Sequence, residues 1–213
     1  MNPLHIGLDL DNTLICYDDV FVGVAEEIGL LSGEHGLSTK EQVKSFLRSG
    51  AGGDRSWMRL QGLVYGRYIE RAELFDGVSG FLRLARDEGT RLSIVSHKTR
   101  YGHFDPDRID LWEASREWLA RRGFFAADGF ALDPDRIHFE ETRDAKIRRI
   151  AAIGCDVFVD DLAEVLQHEG FPSGVHAIWF AADRPAESES DLISCRSWRE
   201  ITYNIARFFP ADS

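Results

Sequence analysis

With 213 residues, 44% of them apolar, the chain has the length of one globular domain, or one domain carrying an insertion, and enough material for a substantial core. A formal net charge of -11 and a pI of about 5.1 argue against nucleic acid and anionic membrane as partners, so any phosphate contact must come from a local basic group. No basic leader with an uninterrupted apolar run is seen, and no stretch approaches the roughly 20 apolar residues of a membrane span, which predicts a cytoplasmic protein.

The stretch Ile6 to Leu14 comes first. Apolar and small residues after Asn2-Pro3 predict a buried parallel strand, and Asp9 and Asp11 follow two positions apart, on one side as the strand runs out. Two carboxylates held that close need a cation, a shared proton or hydrogen-bond donors. After Leu14 the pattern turns helical. Val20 to Leu31 has helical spacing, Ser38 opens a Ser-x-x-Glu capping box with Glu41, and Asp54 to Leu74 is a further helical run. Residues 16–74 therefore read as a small helical lobe inserted after the first strand. Gly50-Ala51-Gly52-Gly53 lacks the spacing of a P-loop or dinucleotide fingerprint and reads as a bend. Arg48, Arg55, Arg59, Arg67 and Arg71 read as a solvated helix face, and Trp57, Tyr65 and Tyr68 as packing.

From Phe75 the chain alternates as a doubly wound sheet does. A helix from Val78 to about Glu88 precedes the strand Arg91 to Ser96, which ends on a hydroxyl. His97, Lys98, Thr99 and Arg100 follow that strand end, the usual ligand position in open α/β sheets. Further on come an amphipathic helix from Ile109 to Arg122, a short strand Ile137 to Glu140, and a helix from the N-cap Thr142 to Ile153 that places Lys146 near its first turn. A lysine there opposes the helix macrodipole, a conflict that a bound anion would relieve. Cys155 to Asp161 is a buried strand ending in two acids. Leu162 to Glu169 reads as a helix, Gly174 to Phe180 as a strand, Ala181 to Glu189 as a loop and Asp191 to Phe209 as a closing helix. Cys16, Cys155 and Cys195, odd in number and widely spaced, predict reduced thiols without disulfide or zinc.

Asp9 with Asp11, Ser96, Lys146, and Asp160 with Asp161 thus fall at strand ends or helix starts on one edge of a parallel sheet. In order and type they resemble the four motifs of the haloacid dehalogenase (HAD) superfamily: Asp9-Leu10-Asp11-Asn12-Thr13 matches Asp-x-Asp-x-Thr, Ser96 the strand-end hydroxyl, Lys146 the lysine, and Asp160-Asp161 the terminal acids. The resemblance runs from Ile6 to about Phe180 and implies a Rossmann-like three-layer α/β/α core over residues 1–15 and 75–213, with residues 16–74 as a helical cap of the C1 type. It implies a Mg²⁺-dependent phosphatase for a small phosphorylated metabolite. Asp9 would be the nucleophile and Asp11 the general acid and base, with Ser96, Lys146 and Asn12 on the phosphoryl oxygens. Mg²⁺ would be held by Asp9, the Asp11 carbonyl and the terminal acids; Asp161 is favoured as direct ligand over Asp160, with the reverse open. The lobe would close over the site.

Asp11 points within the family toward phosphatases and away from metal-independent dehalogenases. Lys98 could share the role of Lys146, and His97, Lys98 and Arg100 are candidates for substrate specificity. Two rivals stand beside this reading: a phosphoacceptor signalling module using the same acidic site, for which no candidate acceptor aspartate on a later strand is found between Ser96 and Asp160, and a non-catalytic binding relative. Substrate identity and oligomeric state are not legible.

Overall fold

The computed structural model describes residues 3–182 and 192–209. In chain order, β1 (His5–Leu8) and β2 (Ile15–Cys16) are followed by α1 (Asp18–Glu27), α2 (Lys40–Ser49), α3 (Gly53–Tyr65) and β3 (Glu73–Leu74). Next come α4 (Val78–Asp87), β4 (Arg91–His97), α5 (Leu111–Arg121), β5 (Ile137–Glu140), α6 (Arg143–Ile153) and β6 (Val157–Asp160). The chain ends with α7 (Ala163–Leu166), β7 (His176–Phe180), β8 (Ile193–Cys195) and α8 (Trp198–Ala206). Among the described residues no helix is long and apolar enough to cross a membrane.

Six strands form one parallel sheet in the order β5-β4-β1-β6-β7-β8, while β2 and β3 make a separate two-stranded pair. β1 and β6 are buried along their whole length, as expected of strands covered on both faces. β1 lies between β4 and β6, with Gly7 opposite Ser93 on one side and Phe158 on the other. Ile147 and Ile150 of α6 and Val165 and Leu166 of α7 pack with Phe158 and Trp179 in one apolar cluster. Trp198 of α8 packs against Phe81 of α4 and Phe180 of β7, with ring centroids 5.0 and 6.1 Å apart. Successive residues of β7, Trp179 and Phe180, therefore serve two helical layers, giving the α/β/α arrangement.

The chain divides into two compact units. The first comprises Met1–Ile15, Leu74–His97 and Gly123–Ser213 and holds the parallel sheet. The second comprises Cys16–Glu73 together with Lys98–Arg122, so α5 groups with α1, α2 and α3. Inside the second unit Phe21 stacks on Trp57 at 5.0 Å and meets Tyr65 edge-on at 5.7 Å. Trp118 of α5 donates its indole N–H to Ala72 O at 3.2 Å. A Cβ on Gly102 would lie 2.5 Å from Gly62 Cα, so these two backbones touch only because both residues are glycine. Arg48 and Arg71 pair with Asp54 and Glu27 at 2.9 and 2.8 Å, and Arg67 pairs with Asp107.

Several boundaries differ from the sequence expectation. The capping box of α2 is Thr39 with Gln42, not Ser38 with Glu41: Thr39 Oγ1 accepts from Gln42 N–H at 3.3 Å, and Gln42 Oε1 accepts the backbone N–H of Thr39. The run expected over 54–74 stops at Tyr65, because Gly66 leaves helical backbone angles (φ -108, ψ -95); the 3₁₀ turn Ile69–Arg71 and β3 follow. The 50–53 glycines are a bend: Gly52 sits at φ 72, and a Cβ on Gly53 would lie 2.0 Å from Leu47 O. The helix expected from Asp191 begins only at Trp198, capped by Ser197, because Ile193–Cys195 pairs with β7 as an edge strand. Asp191 and residues 183–189 of the expected loop lie outside the described residues.

Candidate active site

Asp9 follows the last residue of β1, and its backbone N–H still donates to Val159 O of β6 at 2.9 Å, so the side chain is fixed at the carboxyl end of the central strand. It is only 4% exposed. A carboxylate so placed needs partners, and it has two: Lys146 Nζ donates to Oδ1 at 2.5 Å and Thr13 Oγ1 donates to Oδ2 at 3.1 Å. Between these residues the chain turns back on itself. Asn12 takes the left-handed conformation at φ 62 and donates its N–H to Ile15 O at 2.9 Å. Asparagine is among the side chains that tolerate this conformation best, which explains its place in the loop.

Lys146 comes from the first turn of α6, whose N-cap Thr142 accepts from Ala145 N–H at 3.1 Å and, through its carbonyl, from Lys146 N–H at 3.0 Å. The lysine is 1% exposed, and its Nζ lies 2.6 Å from Asp160 Oδ2 as well as against Asp9. The conflict between this cation and the α6 dipole is therefore met inside the protein, by two carboxylates. Asp160 ends β6 with no exposed surface, and its Oδ1 accepts from Leu162 N–H at 2.9 Å. The neighbouring Asp161 donates its backbone N–H to Thr13 Oγ1 at 3.1 Å, and its carbonyl accepts from the Trp179 indole at 3.0 Å. Ser96, near the end of β4, donates to Asp11 Oδ2 at 3.3 Å. Asp9, Asp11, Ser96, Lys146, Asp160 and Asp161 are thus one connected group within the first unit.

The electrostatics follow from that packing. Burial pushes the Asp9 carboxyl up to about 7; Lys146 opposes the rise, while the Asp160 and Asp11 carboxylates add to it. For Lys146, burial favours the neutral amine, but Asp160 and Asp9 outweigh it and hold its pKa above the ordinary value. One lysine among four aspartates leaves an excess of acid. Carboxylate oxygens of Asp9, Asp160 and Asp161 lie within 4.8 Å of one another, so three hard oxygen donors converge, a set suited to Mg²⁺ or a similar cation and not to zinc.

His97 faces the Glu141 carbonyl, its Nε2 3.2 Å from that oxygen, and burial lowers its pKa. Lys98 is buried in the second unit, where it donates to Ser115 Oγ at 2.8 Å and lies 5.0 Å from the centroid of the Tyr65 ring. Arg100 pairs with Asp110 at 2.8 Å. Thr13 had no role in the sequence reading, although it stands in the Asp-x-Asp-x-Thr pattern; its hydroxyl couples Asp9 to the Asp161 backbone. Trp198, whose indole donates to Thr13 O at 2.9 Å, and Trp179 carry no sequence signal for this support.

No family model and no curated protein matches the sequence. Solved structures do match. A HAD-superfamily hydrolase from Ehrlichia chaffeensis superposes with a TM-score of 0.55 at 17% identity, over 98% of each chain. The haloacid dehalogenase-like hydrolase SP0104 from Streptococcus pneumoniae gives 0.60 at 13% identity, over 98% of this chain and 99% of the other. The chain has the HAD fold. The HAD hydrolase YfnB from Bacillus subtilis, solved with magnesium bound, matches at 0.56 and 14% identity, over 96% of this chain and 99% of its own. At these identities the likeness is one of HAD architecture, and the chemistry has to be argued from the side chains.

Proposed function

We propose that this chain is a Mg²⁺-dependent phosphomonoesterase acting on a small phosphorylated metabolite through Asp9. The observation that carries the reading is the buried Asp9 at the end of the central strand, joined to Lys146 and Asp160, with Asp11 two residues on and held by Ser96. A carboxylate with a fixed orientation and a lysine beside it is a nucleophile placed where phosphoryl charge is stabilised. In the first step an Asp9 oxygen forms a bond to phosphorus while the ester P–O bond breaks, and Asp11 gives its proton to the departing oxygen. In the second, water adds to phosphorus, Asp11 takes the water proton, and the Asp9–phosphorus bond breaks to release phosphate. Ser96, Lys146 and the Asn12 loop hold phosphoryl oxygens. Mg²⁺, held by Asp9, the Asp11 carbonyl and the terminal acids, would supply charge neutralisation. We favour Asp161 for that last place, because Asp160 is already committed to Lys146 and Leu162. Residues 16–74 are proposed as a C1-type cap; the compact unit they form also takes in Lys98–Arg122.

A dehalogenase reading is disfavoured by Asp11, which supplies a proton that carbon–halogen cleavage does not use. The test is phosphate release from a panel of phosphomonoesters with and without Mg²⁺, alongside halide release from 2-haloacids, on wild type and Asp9→Asn. Metal-dependent phosphate release that Asp9→Asn lowers by at least about a thousandfold is expected. Halide release without metal, or phosphate release that survives Asp9→Asn, would remove the proposal.

A further inference from the structure

The opposite end of the sheet carries a second concentration of charge. β4 begins at Arg91 and β5 begins just after Arg136, and between these amino ends lies a cavity of about 270 Å³ within the first unit. Three arginines line it, Arg86, Arg91 and Arg136, against one acid, Asp133, in a protein of net charge -11. Arg136 lies 3.4 Å from Asp133, and Arg86 is engaged by Asp87 and the Gly129 carbonyl at 2.7 and 2.5 Å. By contrast Arg91, from the cavity wall, has no ion pair and no side-chain hydrogen bond among the described residues, and its Nε is buried without a partner, so the charge of this guanidinium is not neutralised by any neighbouring carboxylate. The positive field reaches the neighbouring strand: His5 of β1 is lowered to about 4 by burial and then by Arg91, with Arg136 adding to the effect.

We propose that this cavity is a second anion site, which takes a small oxyanion of the phosphate or pyrophosphate type. Guanidinium groups present paired N–H donors that match such oxyanions in two-point contact. The cavity falls at or below the lower end of the range for small-molecule sites, which suits an inorganic anion or the phosphate end of a compact metabolite and not a nucleotide. It is separate from the Asp9 group. Arg91 and Ser96 are the first and sixth residues of β4, so the two ends lie roughly 16 Å apart along the strand.

The experiment is calorimetric titration of the full chain with pyrophosphate and with inorganic phosphate, in metal-free buffer, with chloride at matched ionic strength as the control. Arg91→Gln, Arg136→Gln and Asp9→Asn are titrated in parallel, and amide shifts of Gly89 and Phe130 are followed by NMR. The proposal expects saturable binding of one equivalent, weakened about tenfold or more by Arg91→Gln or Arg136→Gln and unchanged in Asp9→Asn, with Gly89 and Phe130 shifting in the wild type. Preference between the two anions separates a simple phosphate site from one that spans a pyrophosphate. Binding lost in Asp9→Asn while Arg91→Gln retains it would place the anion at the other end of the sheet and overturn the proposal. Absence of saturable binding, with Gly89 and Phe130 unmoved, would overturn it too. If Arg91→Gln does not fold, the Arg136→Gln titration and the wild-type shifts decide.

Discussion

Asp9 is where stability and the proposed chemistry pull apart. Its carboxyl is held up to about 7 mainly by burial, against an ordinary value near 3.8, so the folded protein binds a proton that the unfolded chain has already released. The sign follows directly: below about pH 4 both states carry the proton and the full stability is present. It is lost as pH rises through the folded value near 7. Replacing Asp9 with Asn removes this dependence while leaving Asp160 as the counterion of Lys146. Metal-free Asp9→Asn is therefore expected to melt several degrees above the wild type at pH 8, with the gain disappearing by about pH 4, because the substitution removes a buried carboxylate that burial disfavours. Equal melting temperatures at both pH values would show that Lys146 fully compensates the buried charge. The acids themselves were legible in sequence because charge at the end of an apolar run is conspicuous. Thr13 was not, since a buried threonine between two carboxylates looks like any β-branched core residue. Lys98, two residues after Ser96, donates to Ser115 and lies against the Tyr65 ring, contacts that its place after a strand end does not announce.

At the scale of elements, the helix starts show how a correct motif can fall one residue out of frame. Ser38-x-x-Glu41 and Thr39-x-x-Gln42 both satisfy the capping-box pattern, and sequence alone has no means of choosing between them. In the structure Gln42 Oε1 accepts the N–H groups of both Ser38 and Thr39, at 2.7 and 3.2 Å, so the glutamine closes the box and Glu41 is left to Lys44. Thr39→Ala should lower the unfolding free energy by about 1 kcal/mol, and Ser38→Ala by no more than a few tenths, in urea titrations read at equal m-value. Equal costs for the two would put the cap back at Ser38. Thr142 shows the motif working in frame, because its side chain and carbonyl both engage the first turn of α6 and so aim Lys146. The strand β8 was invisible for a different reason: three residues carry no periodicity, and Ile193–Cys195 is a strand only through its pairing with β7.

For the whole molecule, the decisive feature is the sheet order, which no residue pattern announces. The parallel alternation was readable from Phe75 onward, but not that β1 lies between β4 and β6, with later strands added outward on both sides. That arrangement makes β1 the point where strand order reverses, and the crevice outside its carboxyl end is the place where open α/β sheets bind ligands. It gathers into one cluster acids that lie about 150 residues apart, Asp9 with Asp160 and Asp161. The metal prediction belongs at this scale, because a cation held there ties β1 to β6 and binds only the folded chain. At a hundred times its Kd, Mg²⁺ should stabilise the protein by about 2.7 kcal/mol, a rise of roughly 5–10 °C in Tm for a chain of this size. Since a ligating carboxylate must be deprotonated, protons compete with Mg²⁺ at Asp9. The Tm rise at fixed Mg²⁺ should therefore be largest at pH 8 and shrink through pH 7 to pH 6, with affinity falling by up to about tenfold per pH unit. Asp161→Asn should lose most of the rise at every pH. Asp160→Asn would also disturb Lys146, so its metal-free Tm should move even before Mg²⁺ is added, and that distinguishes the ligand from the counterion. A Mg²⁺ response that is flat from pH 6 to pH 8, or untouched by Asp161→Asn, would place the cation away from Asp9 and remove the assignment of Asp161.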